Sequence, residues 1–267
     1  MELPGYIASA LIGLSLGLIG GGGSILTVPV MVYLFGVPPL LATSYSLFIV
    51  GLTSLIGSFS NFKKGLVSLK ASLFFGLASV ITVFATRKFL VPIIPQEIIT
   101  IRGFTVTEPF LTMILFGLLM LVASISMIRD NGDPGPEKEC SECIKFFKLL
   151  GYGLGIGLVT GLLGAGGGFL LIPALVFMVK LPMKKAVGTS LSIIAMNSLF
   201  GFAGDLGHFS IDWTFLLTIT SISVAGLFIG GFLSKKIPGG KLKTGFGWFV
   251  LIMGIYIIFK EISAYPL

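Results

Sequence analysis

The sequence contains few charged residues, two cysteines and one histidine. Charged side chains account for 11% of its 267 residues, whereas a soluble chain carries about a quarter. This shortage excludes an ordinary soluble domain. The two cysteines lie three positions apart in one hydrophilic segment, so no disulfide framework is predicted. The first apolar run has no lysine or arginine before it and shows no small-residue cleavage site, which argues against a cleaved signal peptide.

The sequence is rich in long apolar stretches. Hydrophobic residues make up 55% of the chain, and the mean hydropathy is +1.05. Eight stretches are each long enough to cross a bilayer core of ~30 Å, which takes about 20 helical residues. The sequence therefore predicts an all-α polytopic membrane protein. The eight stretches are residues 6–35, 39–60, 66–86, 108–128, 146–179, 183–203, 212–233 and 244–260.

The chain contains an internal repeat with an offset of 144 residues. Residues 20–29, GGGGSILTVP, return as residues 164–173, GAGGGFLLIP. Matches at the same offset continue upstream, where Gly13 and Gly17 pair with Gly157 and Gly161, and downstream of the motif. Each copy places a glycine-rich break inside an unusually long apolar stretch. Breaks at corresponding places in two halves of a transporter indicate a substrate site.

A hydrophilic segment at residues 129–145 divides the two copies. The predicted organisation is a first repeat at residues 1–128, a linker at 129–145 and a second repeat at 146–267. The linker holds both cysteines, Cys140 and Cys143, with no histidine nearby. Two thiols cannot complete a four-ligand metal site within one chain, so neither a metal nor another cofactor is predicted.

The distribution of lysine and arginine predicts the orientation of the repeats. If each long stretch crossed the membrane once, the basic residues would divide eight against ten between the two sides. If each long stretch instead folds back at its glycines, each half has three spans and a hairpin, and the division becomes fourteen against four. The positive-inside rule favours the second arrangement. It predicts two inverted repeats of five helices or half-helices in a plasma membrane, with the linker in the cytoplasm and both termini outside.

The net charge of +7 is explained by these orientation signals. The basic residues lie in short clusters between apolar stretches rather than on one binding face. We therefore expect a lipid bilayer and a small anionic substrate as partners, and no nucleic acid. The oligomeric state stays open, with a homodimer as one alternative.

The glycine breaks predict a site for a small anion. Helices that begin at residues 23–24 and 167–168 would direct unpaired N–H groups and partial positive charge inward. Hydroxyl groups on the next helix of each half would complete the hydrogen-bond shell. Helix packing is the alternative for any single glycine, and helix–helix hydrogen bonding is the alternative for any hydroxyl. The candidates are Gly21, Gly22, Gly23, Ser24, Thr43, Ser44 and Ser46 in the first half, and Gly166, Gly167, Gly168, Thr189, Ser190 and Asn197 in the second.

Buried charge is not expected at this site. No lysine or arginine and no carboxylate pair is placed near the middle of a span, which disfavours both a tight anion trap and a cation carrier. Asp205, His208 and Asp212 form the titratable cluster near a helix end. Asp205 and His208 are candidates for a gate or a proton-coupling group. A hydrated interfacial loop is the alternative.

The paired motifs at residues 20–29 and 164–173, the segments 42–47 and 186–191 and the whole-chain duplication resemble the TauE/SafE family of membrane anion permeases. The resemblance implies a secondary transporter, not an enzyme, that exports sulfite or a small organosulfonate. It also implies that the motif glycines and nearby hydroxyls hold the sulfonate oxygens. The two copies end differently, as GGGGS and GAGGG, so a strictly two-fold site is not expected.

The expected direction and mechanism are export by alternating access between the two repeats. An inside-negative potential assists the exit of each negative charge by about 2.3 kcal/mol per 100 mV. The first alternative is a permease for another small organic or inorganic anion. The second is a thiol-redox or metal-handling membrane protein that acts through Cys140 and Cys143.

Overall fold

The protein is almost entirely helical in its computed structural model, which describes residues 2–21, 23–93, 97–101, 104–129, 142–164, 166–177, 179, 181–208, 210–234 and 239–264. A β-hairpin of β1 (Glu97–Ile101) and β2 (Phe104–Thr107) lies between the fourth and fifth α-helices. The ten α-helices of the described part are α1 (Glu2–Ile19), α2 (Ser24–Tyr33), α3 (Pro39–Lys63), α4 (Leu69–Ala85), α5 (Glu108–Arg129), α6 (Glu142–Leu163), α7 (Gly168–Phe177), α8 (Met183–Asp205), α9 (Trp213–Leu233) and α10 (Gly239–Ala264).

Four helical segments of the described residues are long and apolar enough to cross a membrane alone: Pro39–Lys63, Leu69–Ile93, Lys184–Asp205 and Trp213–Leu233. The second of these continues α4 through a π-helical turn at Thr86–Leu90 and a 3-10 turn at Val91–Ile93. Shorter apolar helices include the two that flank the first glycine motif. The chain is therefore an all-α multi-pass membrane protein, as the apolar stretches predict.

Both long apolar stretches break at their glycines. Gly20 ends α1 with a φ of +80°, and Gly164 ends α6 with a φ of +66°. The N–H of Gly20 donates to the Leu16 carbonyl at 2.8 Å, and the N–H of Gly164 donates to the Thr160 carbonyl at 2.9 Å. A left-handed residue closes each helix, which glycine adopts without a Cβ clash. The next helices begin at residues 24 and 168, as the motif predicts.

The first long stretch folds back on itself. Phe35, just beyond α2, packs edge-on against Tyr6 near the start of α1, with the ring centroids 5.9 Å apart. From Tyr6 to the break at Ile19, α1 rises about 20 Å, and α2 returns about 15 Å. Both arms are therefore shorter than the bilayer core of ~30 Å.

The helix packing keeps its pattern when each helix is exchanged for its counterpart in the other half. Helices α2, α3 and α5 each pack against their own counterparts α7, α8 and α10. The α1–α9 pair is matched by α6–α4, and the α3–α9 pair by α8–α4. Close glycine contacts follow the same rule, because Gly13 meets Ser223 and Gly157 meets Ser79. This packing supports the repeat, and the inversion of one half stays a prediction.

Two features of the connecting segments differ from the sequence prediction. The β-hairpin was not predicted, and α6 begins at Glu142, so the last four residues of the predicted 129–145 linker are helical. The predicted role of Cys140 falls outside the described residues.

Candidate functional site

The two glycine breaks touch each other at the centre of the molecule. A Cβ placed on Gly21 would lie 2.5 Å from the Gly168 carbonyl oxygen, and one on Gly168 would lie 2.6 Å from the Gly21 carbonyl oxygen. Both contacts are far shorter than a real Cβ allows, so glycine is needed for the backbones to approach. The breaks also contact the central helices, since Gly164 lies against Thr43 of α3 and Gly20 against Val187 of α8.

The turn before α7 is lined by two buried hydroxyl groups. A Cβ on Gly167, whose φ is +68°, would lie 2.2 Å from Oγ1 of Thr160. A Cβ on Gly166 would lie 2.9 Å from Oγ of Ser198. Neither hydroxyl has a hydrogen-bond partner among the described residues, although both side chains are fully buried. Unpaired buried hydroxyls are costly, so this turn is a candidate ligand site.

Further buried donors lie on the same faces of α3 and α8. Ser46 is three residues after Thr43 and four before Val50, the two α3 residues that contact the turn, so it shares their helix face. Asn197 and Ser198 follow Ile194, which contacts both Gly166 and Gly168. The buried donors without a partner among the described residues are the hydroxyls of Ser46, Thr53, Ser54, Ser72, Thr160 and Ser198 and Nδ2 of Asn197.

Three predicted site hydroxyls, those of Ser24, Thr189 and Ser190, form hydrogen bonds with backbone groups of the protein. Oγ of Ser24 donates to the Gly21 carbonyl at 2.8 Å, and Oγ of Ser190 donates to the Gly20 carbonyl at 3.2 Å. Oγ1 of Thr189 accepts from the Ser68 N–H at 2.9 Å, at the start of α4. Gly23 is the N-cap residue of α2 and packs against α1. Ser24, Thr189 and Ser190 thus brace the breaks, and Gly22 lies outside the described residues.

A basic residue that the apolar pattern placed in a loop lies inside a candidate span. Arg87 sits in the π-helical turn of the Leu69–Ile93 segment and is completely buried. Its Nη1 lies 3.1 Å from Oδ2 of Asp205, at the end of α8. The same Nη1 donates to Oγ1 of Thr43 at 2.9 Å, and Oγ of Ser44 donates to Asp205. The pair is neutral as a whole, which makes two buried charges tolerable.

The predicted titratable cluster is divided by the structure. Asp205 is buried in the ion pair, so the hydrated-loop alternative is wrong for it. His208 is exposed in the turn that follows α8. Asp212 caps α9, where its Oδ1 accepts from the Phe215 N–H at 3.0 Å.

Arg87, Thr160 and Ser198 are the site residues that sequence reasoning missed. Arg87 was counted as a loop residue because the third apolar stretch ended at residue 86. The apolar run 89–94, FLVPII, was the signal that the span continues beyond Arg87. Thr160 lies one helical turn before Gly164, and only its contact with the break distinguishes it from other helix hydroxyls.

Comparisons with known proteins find one matching family model and several relatives. A family model described as "Sulfite exporter TauE/SafE" matches residues 6–257. Two proteins from Xylella fastidiosa strains 9a5c and Temecula1, each named "Probable membrane transporter protein", are 28% identical over 258 residues, which is 95% of this chain and 94% of each relative. "Probable membrane transporter protein YdhB" of Bacillus subtilis is 22% identical over 93% of this chain and 97% of its own length. No solved structure matches the chain.

Proposed function

The chain belongs to the sulfite exporter TauE/SafE family, and on that basis we propose that it exports a small sulfur oxyanion, such as sulfite or a small organosulfonate, by alternating access. The family and the names of the relatives identify a membrane transporter rather than an enzyme. The cargo, its direction and the plasma-membrane location belong to the proposal.

The surplus of buried hydrogen-bond donors at the glycine breaks carries the proposal. The Thr160 and Ser198 hydroxyls line the 166–167 turn without partners among the described residues. A hydroxyl can donate to an oxyanion but can also accept, whereas Nδ2 of Asn197, which has no partner among the described residues, can only donate and therefore favours an anion. The start of α7 at Gly168 adds the partial positive charge of a helix N-terminus. A site of this kind favours a small anion that approaches the backbone closely.

The packing supports alternating access between two inverted repeats. The breaks meet where α2 and α7 pack together, and α3 and α8 pack against each other beside them. In transporters with this organisation, one repeat moves against the other around a central site. The fold-back of the first long stretch supports the hairpin on which the inverted orientation depends.

The basic residues support the proposed orientation more strongly once Arg87 is removed from the loops. The fourteen residues on the predicted cytoplasmic side then face three on the other side. The positive-inside rule places the side with fourteen in the cytoplasm. Export of an anion would then run with the membrane potential.

The proposal is tested by sulfite uptake into liposomes that contain the purified protein. Wild type is compared with Gly167→Ala, which adds a Cβ 2.2 Å from Oγ1 of Thr160. It is also compared with Gly155→Ala, an exposed position where an added Cβ would meet none of the described residues within 4 Å. We expect uptake by wild type and Gly155→Ala, and little uptake by Gly167→Ala. The absence of sulfite uptake by wild type would contradict the sulfite cargo.

A different small anion is the first alternative cargo. Uptake of sulfoacetate, taurine, sulfate and small carboxylates is therefore measured directly in the same liposomes. A carboxylate that is transported while sulfite is not would replace the sulfur oxyanion in the proposal.

The cysteine alternative predicts that the double variant Cys140→Ser, Cys143→Ser loses activity, whereas we expect normal uptake by this variant. Light scattering of the purified protein in detergent, before it is placed in liposomes, tests whether it is a homodimer.

A further inference from the structure

We propose that Arg87 binds the transported anion and that Asp205 is a built-in competitor, which occupies the guanidinium group when no substrate is bound. This inference rests on the proposed function, since it assigns an anion-binding residue to the same site. The Arg87–Asp205 pair, with the hydroxyls of Thr43 and Ser44, is called the charged cluster below.

The charged cluster has the chemistry of an occupied oxyanion site. Oδ2 of Asp205 receives a hydrogen bond from Nη1 of Arg87 and another from Oγ of Ser44. A guanidinium group and hydroxyls are the donors that recognise carboxylate and other oxyanions. The carboxylate of the chain itself therefore stands where an oxygen of a bound anion would be held.

The charged cluster is next to the glycine break. Thr43, which accepts from Arg87, is also the residue against which Gly164 packs, with 2.4 Å between its Cβ and a Cβ built on the glycine. Gly161 of α6 packs against Thr86, the neighbour of Arg87 in the chain. One layer of contacts thus joins Arg87 to the end of α6, so the guanidinium group lies one residue away from the glycine break.

Asp205 is placed where it can leave. It is the last residue of α8, and the turn that follows contains exposed Leu206 and His208 and a left-handed Gly207 with φ +93°. Arg87, by contrast, is enclosed by α3 and α8, and a Cβ built on Gly204 of α8 would lie 3.1 Å from the Arg87 Cβ. The carboxylate is therefore the partner that moves when an anion replaces it.

The internal repeat provides a second argument and a control. The positions that correspond to Arg87 and Asp205 in the other half are Gly231 and Asn61, and those that correspond to Thr43 and Ser44 are Val187 and Gly188. Asn61 bonds locally, with Nδ2 donating to the Gly57 carbonyl at 2.9 Å. Gly231 and Asn61 cannot form an ion pair, so the corresponding part of the other half folds without one. A charge pair present in only one half is consistent with a function rather than with a requirement of the fold.

The test measures how anions change the thermal unfolding midpoint of the purified protein, with gluconate as the background anion and with sulfite and formate as probes. The variants are Asp205→Ala, Arg87→Gln, the double variant and Asn61→Ala as the matched control. A ligand that binds the folded state raises the midpoint according to its affinity. If Asp205 occupies Arg87 for nine-tenths of the time, its removal tightens apparent anion binding about tenfold.

We expect Asp205→Ala to be less stable than wild type in gluconate. Formate or sulfite should raise its unfolding midpoint at about one-tenth of the anion concentration that wild type needs for its own response. Arg87→Gln and the double variant should lose the response to anions, and Asn61→Ala should keep it. If Asp205→Ala cannot be purified, Asp205→Asn removes the charge at nearly constant shape and gives the same comparison.

Each outcome separates the two proposals. An anion response of Asp205→Ala equal to that of wild type, or one that persists in the double variant, would overturn the competitor role and leave an ion pair that only joins α4 to α8. Sulfite uptake by wild type with normal uptake by Arg87→Gln would overturn the inference alone. Tightened binding in Asp205→Ala without uptake of any anion by wild type would support the inference and contradict the transport proposal.

Discussion

Gly21 and Gly168 face each other so closely that a Cβ on either would lie about 2.5 Å from the carbonyl oxygen of the other. This contact joins the two breaks through two residues that are 147 positions apart in the sequence. A Cβ added to either glycine would meet backbone atoms of the other, so no rotamer change could make room for it. The contact therefore makes both glycines sensitive to the smallest substitution.

The first prediction concerns this contact. Gly21→Ala should lower stability by about 1–3 kcal/mol, because overpacking against backbone forces a shift of the chain, and should reduce sulfite uptake more than tenfold. Thermal unfolding and liposome uptake measure the two effects. Gly155→Ala, which has open space around it, is the control and should behave as wild type. Normal uptake by Gly21→Ala would show that the breaks need not stay in contact.

The second prediction concerns the Thr160 hydroxyl. Thr160→Val keeps the shape of the side chain and removes a buried donor without a partner among the described residues, so the protein should be unchanged in stability or gain about 1 kcal/mol. The apparent KM for the transported anion should rise several-fold, because a donor to the anion is lost. Uptake against substrate concentration measures the change.

The control for this hydroxyl is Thr220→Val on α9. Oγ1 of Thr220 donates to the Leu216 carbonyl at 2.7 Å, so this variant removes a satisfied hydroxyl away from the breaks. It should leave KM unchanged. A loss of stability in Thr160→Val with unchanged KM would assign the Thr160 hydroxyl a structural role.

The third prediction separates packing glycines from site glycines. A Cβ on Gly13 would lie only 1.7 Å from the Ser223 carbonyl oxygen, where α1 crosses α9. Gly13→Ala should therefore separate these helices and lower the unfolding midpoint more than Gly21→Ala does. Gly231→Ala on α9 has no atom within 4 Å and is the control. Full stability of Gly13→Ala would contradict the α1–α9 packing.

The fourth prediction concerns the C-terminal end of α2. Oη of Tyr33 donates to Oε1 of Glu261 on α10 at 2.7 Å, while Nζ of Lys260 lies 3.9 Å from the centroid of the Tyr33 ring. Tyr33→Phe removes the hydrogen bond and keeps the ring. It should cost about 1.5–3 kcal/mol, the range for a hydrogen bond to a charged group.

A double-mutant cycle with Glu261→Gln measures this contribution. If the two groups act through their hydrogen bond, the double variant should lose about as much stability as either single variant. Additive losses would show that Tyr33 and Glu261 contribute independently. This contact has no counterpart at the equivalent position of the second half, where Phe177 replaces Tyr33.

Several parts of the fold were predictable because their signals are local. The apolar stretches predicted the α-helices of a membrane protein, and the glycine motifs predicted the helix starts at Ser24 and Gly168. The β-hairpin and the extension of the fourth span to Ile93 were not predicted. A basic residue normally marks the end of a span, and only the ion pair formed in the fold allows Arg87 to lie inside one.

The membrane character, the duplication and the positions of the two breaks all follow from the sequence alone. Their signals are the hydropathy, the offset of 144 residues and the glycine motifs, and none of these depends on which residues are in contact in the fold. Which polar groups have hydrogen-bond partners depends instead on how the helices pack. The hydroxyl groups of Ser24, Thr189 and Ser190 form hydrogen bonds with backbone groups. Those of Thr160 and Ser198 face the break instead. Arg87 and Asp205, 118 positions apart, meet because α4 packs against α8, and a buried charge is stable only where such packing provides its partner.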